Sequence, residues 1–310
     1  MPLTDVVVTE DDIEAVLDCY RSGWLTMGPR TRDFELALAQ FCNVPHAAAV
    51  SNGTAALHLA CRAAGIGPGD EVIVPALTFL ATAHAPRYCG AETVLCDSTS
   101  LTDMNISVDD VRRRITPRTK AVIAVHFCGY TADMAELRRL CDDHGLVLIE
   151  DMAQSIGSRY ADGRVCGSAA DLACASFFSK KQLSVGEGGA VLTRNEQYAE
   201  TVRLLRSHAM TTSTWDRHRG HSESYDVVDV GNNYRLDEPR AALGLARIGR
   251  LAGEIEARRR AVGRYRNLLA DVPGVRLMWD EEAVARSSHF AFPVLTQSHE
   301  ARVRLRSGLA

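Results

Sequence analysis

Between Pro45 and Thr193 the sequence alternates short apolar runs with helical stretches, and this rhythm restricts the chain more than any other feature. Apolar runs at 47–50, 72–74, 93–96, 121–125, 146–149, 172–177 and 190–193 have strand length, while 54–64, 108–115 and 134–144 read as helices. In 134–144, Leu137, Leu140 and Cys141 share one face. Such alternation builds a mostly parallel sheet with helices on both faces, and such sheets bind ligands beyond the carboxyl ends of their strands. The flanks differ. Ile13, Val16, Leu17 and Tyr20 lie at helical spacing before a Gly/Pro loop, GWLTMGPR, which predicts an N-terminal arm packing on another surface. After Asp237 one long helical stretch is expected to about Leu269, then strands at 275–279 and 290–295 and a helix from Ser298. The expected division is therefore an arm and large α/β domain over 1–240, then the start of a smaller α+β domain over 241–310.

Four loops at expected strand ends carry chemistry-bearing residues. In SNGTAALHLA, Gly53 and Thr54 sit at a strand-to-helix turn, where free N–H groups and the helix dipole favour an anion; a plain capping turn has the same sequence. In IEDMAQS, Asp151 directly follows a buried strand, placed to pair with a protonated ring nitrogen or merely to cap a helix; Gln154 lies three residues on. SFFSKKQLSVGEGGAVLT holds Ser176, a candidate phosphate contact, and the adjacent Lys180 and Lys181. A lysine desolvated in a pocket loses its proton and forms an imine with an aldehyde, although most lysines are solvated surface charges. The 35 basic residues comprise three lysines (Lys120, Lys180 and Lys181) and 32 arginines, which makes each lysine worth attention. GNNYRLDEPRAALGLA is a loop capped by Asp237 before a helix, and Phe79 in VPALTF is either a stacking ring or a core aromatic. Together these loops offer a phosphate cradle, an acid for a pyridine nitrogen, a stacking ring and an imine lysine, the set that pyridoxal phosphate needs.

Other classes fit poorly. A net charge of -4 argues against a nucleic-acid partner. No basic stretch followed by an apolar one opens the chain, and the run around Val72–Ala83 is too short and too interrupted to span a bilayer, so no membrane association is expected. The nine cysteines form no CxxC pair and are odd in number, which favours reduced thiols in a cytoplasmic protein over disulfides or zinc. Neither a GxGxxG nor a Walker sequence is present, so a nicotinamide dehydrogenase or an ATP site is disfavoured.

NGTAALHLA, EVIVPALTF, AVIAVHFCGYTADM, IEDMAQSIGS, SFFSKKQLSVGEGGAV and NNYRLDEPRAALGLA occur in one order, and in that order the chain resembles the DegT/DnrJ/StrS sugar aminotransferases of fold-type I. The resemblance covers about Leu25 to Arg250 and continues weakly beyond. It implies a seven-stranded, mostly parallel sheet, pyridoxal 5'-phosphate as cofactor and Lys181, five positions after Ser176, as its covalent anchor. It further implies that Asp151 keeps the ring nitrogen protonated, Gln154 contacts the ring-hydroxyl side and Phe79 stacks on the ring. Gly53, Thr54 and Ser176 hold the phosphate, and Asn233 reaches the neighbouring subunit's cofactor in a homodimer with shared sites. The implied reaction takes an amino group from glutamate or glutamine and delivers it to a keto sugar, often nucleotide-linked, or to a keto-cyclitol, with Lys181 moving the proton. A related dehydratase branch carries histidine where this chain has Lys181, and a non-catalytic cofactor-binding relative is the other alternative. Gln182 stands where asparagine is common. Family members run further, to a histidine-containing substrate loop that nothing here matches, so the C-terminal unit is expected to be truncated. The polar stretch STWDRHRGHSESYD (213–226) reads equally as a substrate-contacting loop or a solvated insertion, and lacks a convincing metal set at His218 and His221.

Overall fold

The sheet follows from how each strand is joined to the next. The computed structural model describes residues 6–212, 215, 218–220 and 224–309. Its main sheet contains β1 (His46–Val50), β2 (Glu71–Pro75), β3 (Glu92–Cys96), β4 (Thr119–Val125), β5 (Val147–Asp151), β6 (Leu172–Ser176) and β7 (Gly189–Thr193), in the order β1-β7-β6-β5-β4-β2-β3. Helices Leu80–Tyr88, Val108–Arg114 and Met134–His144 precede β3, β4 and β5, and β2–β3, β2–β4, β4–β5 and β5–β6 pair in parallel. Between β6 and β7 the chain makes only the turn 177–188, too short for a helical crossover. β7 therefore runs back antiparallel to both β6 and β1. The expected seven-stranded, mostly parallel sheet is present.

Strands buried on both faces explain why they read as continuous apolar runs. Ile73, Val122, Ala124, Leu148 and Ala173 pack into one layer, while Val72, Val74, Ala121, Ile123, Ile149 and Cys174 pack into the other. Helix Gly53–Ala63, capped by Asn52, lies in the second layer and buries every residue from Ala55 to Cys61.

Three expectations for the flanks are corrected. The single helix after Asp237 is two, Glu238–Ile248 and Leu251–Leu269. They part where the Arg250 guanidinium is held by buried Asp12, at 2.5 and 2.7 Å, and by Glu254 at 2.9 Å. The strand expected at 275–279 is shorter, β8 (Val275–Leu277), and the one expected at 290–295 lies at β9 (Val294–Thr296). Pro293 has no N–H to donate to a ladder, and Phe290 turns toward the cavity described below. The N-terminal helix Glu10–Ser22 packs on Glu238–Ile248 through its Asp12 and Cys19 face, leaving Ile13, Leu17 and Tyr20 exposed. Part of the polar stretch 213–226, including His221, lies outside the described residues; within it, Trp215 and His218 pack against Trp24, far in sequence from the strand-end loops.

Candidate active site

Helix Gly53–Ala63 starts at the carboxyl end of β1, and its first N–H groups, from Gly53 and Thr54, lack helical partners. Asn52 Oδ1 accepts from Ala55 N–H at 2.8 Å, which fixes the first turn. Ser176, at the end of β6, closes on it: a Cβ on Gly53 would fall 2.9 Å from Ser176 Cβ. Below them, a Cβ on Gly189 would fall 2.5 Å from the Asn52 carbonyl oxygen and 2.8 Å from Gly53 N. Both clashes at Gly189 are with backbone, so relief requires moving the turn itself. Gly189→Ala is expected to cost about 1–3 kcal/mol of stability, the usual penalty of overpacking, and to weaken phosphate binding; a thermal melt and an inorganic-phosphate titration check both.

At the end of β5, Asp151 is buried at 5% exposure. Thr82 donates to its Oδ2 at 2.8 Å, Ala153 N–H donates to Oδ1 at 3.1 Å, and Thr78, having Thr82 Oγ1 as its acceptor, continues the chain at 2.8 Å. Burial pushes the Asp151 carboxyl above its usual value, opposed by these hydrogen bonds and by the positive charge of Lys181. Its neighbour Glu150 points to the opposite layer, where it accepts from His126 Nε2, Tyr160 and Gly167 N–H; Ala132 N–H donates to His126 Nδ1, so Nε2 carries the proton. Glu150, His126 and Cys166 form a ligand-type cluster within 4.8 Å, but Glu150 spends its acceptor capacity on hydrogen bonds to His126, Tyr160 and Gly167, which hold the segments after β4 and β5.

Lys181 sits on the turn 177–188, its N–H bonded to Phe178 O at 2.8 Å. Burial lowers its amine below the ordinary lysine value, partly offset by Asp151. Nζ lies over the Phe290 ring, 4.5 Å from its centroid.

These groups share one cavity of about 650 Å³. Gly53, Thr54, Phe79, Asp151, Gln154, Ser176 and Lys181 all line it, as the sequence led one to expect. Gln154 Oε1 is engaged by Cys128 N–H at 2.8 Å. Asn233 is not brought in: it is exposed and bridges to Ser207, outside the cavity of its own chain. Next to it, Tyr234 does line the cavity, its hydroxyl 3.2 Å from His58 Nδ1, and its carbonyl accepts from Ser51 N–H at 2.8 Å. Tyr88, Phe178, Glu187 and Phe290 are further lining residues that the sequence did not reveal. Tyr234, Phe178 and Glu187 carried a signal through their places in the NNYR and SFFSKKQLSVGEGG motifs; Tyr88 and Phe290 carried none.

Behind Phe290, His289 is buried with Nδ1 3.3 Å from the Tyr130 hydroxyl. Burial first, then Arg259, Arg258 and Arg266, push its imidazole down to about 4 from the usual 6.5. The unfolded chain thus takes up the proton first as pH falls. The stability held by neutral His289 is present above about 6.5 and lost as pH drops toward 4, a difference on the order of 3 kcal/mol. Denaturant melts across this window should show that loss, and His289→Gln should flatten it.

With the geometry in place, the chain can be set beside known proteins. The DegT/DnrJ/EryC1/StrS aminotransferase family matches residues 7–309. The chain is 43% identical over 256 residues to GDP-perosamine synthase of Caulobacter vibrioides, covering 82% of this chain and 66% of that protein. It is 37% identical to the spore coat polysaccharide biosynthesis protein SpsC of Bacillus subtilis, over 89% of this chain and 70% of SpsC. The chain therefore spans about two thirds of the length of these relatives. The crystal structure of the aminotransferase TlmJ from Streptoalloteichus hindustanus superposes with a TM-score of 0.91 at 31% identity, covering all of this chain and 82% of TlmJ.

Proposed function

This chain belongs to the DegT/DnrJ/EryC1/StrS aminotransferase family, and from that membership we propose that it moves an amino group from glutamate or glutamine to a keto sugar, nucleotide-linked, or to a keto-cyclitol. Enzymes of this family depend on pyridoxal 5'-phosphate. The residues present suit that cofactor: two N–H groups without helical partners and Ser176 form an anion cradle that a Cβ at Gly53 would crowd, and a buried carboxylate and a half-buried lysine line the same cavity. When bound, pyridoxal phosphate supplies an aldehyde for an amine and a ring that spreads the negative charge left when a neighbouring carbon loses its proton.

The single observation that carries the reading is Lys181. Its amine is held inside the cavity, where desolvation favours the neutral, nucleophilic form and the Asp151 charge only partly opposes it. In the proposed scheme Lys181 would hold the cofactor and, as a free amine, would take the proton from the donor's α-carbon and deliver one to the acceptor carbon. Asp151, fixed by Thr82 and Ala153 N–H, balances a protonated ring nitrogen. Gly53, Thr54 and Ser176 hold the phosphate, Phe79 covers the ring, and Gln154 orients its hydroxyl side while anchored to Cys128.

Asn233 reaches a partner's cofactor in the proposed homodimer. Its exposure outside its own cavity supports this, as do the exposed Phe79 (70%), Leu80 (65%) and Tyr88 (57%) around the cavity rim. Mixing inactive Lys181→Ala and Asn233→Ala proteins should restore activity if sites are shared. The proposed division remains a cofactor-binding part over 1–240 and a smaller C-terminal part over 241–310. A cytoplasmic setting is supported by nine free cysteines. No helix among the described residues is long and apolar enough to cross a membrane.

The test uses purified protein, pyridoxal phosphate, nitrogen-15-labelled glutamate or glutamine and a panel of nucleotide-linked keto sugars and keto-cyclitols. Labelled nitrogen in a sugar or cyclitol product is expected. Donor-independent loss of water from the sugar, or no labelled product at all, would overturn the proposal.

A further inference from the structure

The segment 287–290 comes from the far end of the chain, yet it is bound into the floor of the lysine turn by a buried polar network. Gln182, which directly follows Lys181, donates from Nε2 to the Gln154 carbonyl at 2.7 Å and to Ser288 Oγ at 2.8 Å. Ser158 Oγ donates to Gly129 O at 2.7 Å and accepts from Ser288 N–H at 2.9 Å, and Ser287 Oγ also donates to Gly129 O, at 2.9 Å. Gln182, Ser158, Ser287 and Ser288 are each 2% exposed or less. Backbone approach tightens the dock: a Cβ on Gly129 would stand 3.0 Å from the N atoms of both His289 and Phe290. The consequence is at Phe290, whose ring lies against the amine of Lys181 with 4.5 Å from centroid to Nζ.

We propose that Phe290 is an orienting residue of the reactive lysine, and that Gln182 and Ser288 are the positioning residues that deliver it. The ring does two things at once. Its bulk excludes water from one side of Nζ, and its π face gives a protonated amine a directional partner. The first effect lowers the amine's proton affinity and the second raises it; since burial is the leading influence on Lys181, exclusion of water wins. The other charged group that acts on Nζ is Asp151, on β5; Lys180 and Glu187 line the same cavity. Gln182 reaches Ser288 because its side chain is one methylene longer than asparagine. The residue after the lysine is thus fitted to this C-terminal segment. The inference deepens the proposed role of Lys181 as cofactor anchor and rests on that reading, but its test does not involve the cofactor.

The test is competitive acylation of the cofactor-free protein with trace acetic anhydride across a pH series, reading the Lys181 peptide by mass spectrometry against exposed Lys120 in the same sample. In the wild type, Lys181 should label slowly but with a midpoint below that of Lys120. In Phe290→Ala, its high-pH labelling rate should rise by about fivefold or more and its midpoint should move up toward Lys120, as expected when a buried amine regains water. Phe290→Leu, which keeps apolar cover, should hold the midpoint low. Gln182→Ala and Ser288→Ala, with the ring intact, should shift Lys181 in the same direction as Phe290→Ala while leaving Lys120 unchanged. Lys181 labelling identical to wild type in folded Phe290→Ala would overturn the proposal. So would identical labelling in Gln182→Ala and Ser288→Ala, for the positioning role. If Phe290→Ala does not fold, a midpoint in Phe290→Leu that rises to match Lys120 refutes it instead. Failure of the anchor reading is separate: it is read from reductive labelling with pyridoxal phosphate, which can fail while these shifts remain.

Discussion

Lys181→Ala is expected to abolish both the visible absorbance of the protein mixed with pyridoxal phosphate and the reductive labelling of the Lys181 peptide by borohydride. Turnover with any donor should fall by about 10³-fold or more, since the residue would supply both the covalent anchor and the proton transfer, and proton transfer by a positioned group alone is worth about 10²–10⁴-fold. Lys180→Ala is the informative partner. Lys180 is exposed at the cavity edge, whereas Lys181 lies beneath Phe290 with an amine lowered by burial, so the label should stay on Lys181 in that variant. Thermal stability supplies the control. A buried amine that alanine replaces was costing desolvation, so Lys181→Ala should melt no lower than the wild type. A label that persists elsewhere in Lys181→Ala, or that moves to Lys180 in the wild type, would sink the assignment.

Asp151→Asn separates binding from folding. Asparagine keeps the size, its one oxygen can still accept from Ala153 N–H and its NH2 can donate to Thr82 Oγ1 in place of the bond it received, but it cannot balance a cation. Losing a charge-assisted hydrogen bond worth about 1.5–3 kcal/mol should weaken pyridoxal phosphate binding by roughly ten- to a hundredfold, and turnover should fall further. The cofactor-free protein should respond in the opposite sense. Burial raises the Asp151 carboxyl above its unfolded value, so its contribution to stability is present at acid pH and lost as pH rises through the folded value. Asp151→Asn removes that loss, and the cofactor-free variant should be at least as stable as the wild type at neutral pH. Weaker cofactor binding with unchanged or higher stability is the expected pair of results. Equal cofactor affinity in the two proteins would rule out the proposed role.

Legibility varied with how local the signal was. Strands β1, β2 and β4 to β7 were readable because they are buried on both faces and carry apolar runs, a pattern that burial imposes on each segment separately, while the edge strand β3, with Leu95 exposed, was readable from its strand-type composition. Most of the candidate site was readable for a related reason. Gly53, Asp151, Ser176 and Lys181 sit at or just beyond strand ends, so finding the strands located the loops. The C-terminal part resisted the same reading. FAFPVL has a strand's composition, but Phe290 is turned to the cavity and Pro293 has no ladder donor. The long arginine- and alanine-rich stretch hinted at its break only through Gly249, because the partner that holds Arg250 is Asp12, near the other end of the chain.

The sequence by itself determined the layered α/β architecture, the order of its strands along the chain, and the residue types waiting at their ends. Those follow from periodicity and from backbone demands such as the turn at Gly53, which act over a few residues. Only the tertiary structure decided which of those residues meet. It showed that β7 turns antiparallel, that Asn233 leaves its own cavity while Tyr234 enters it, and that a phenylalanine 109 positions after Lys181 covers its amine. Contacts of that kind depend on hydrogen bonds such as Gln182 to Ser288 and on close backbone approaches such as Gly129 to His289. Their energies arise between segments that share no local pattern, so no run of neighbouring residues records them.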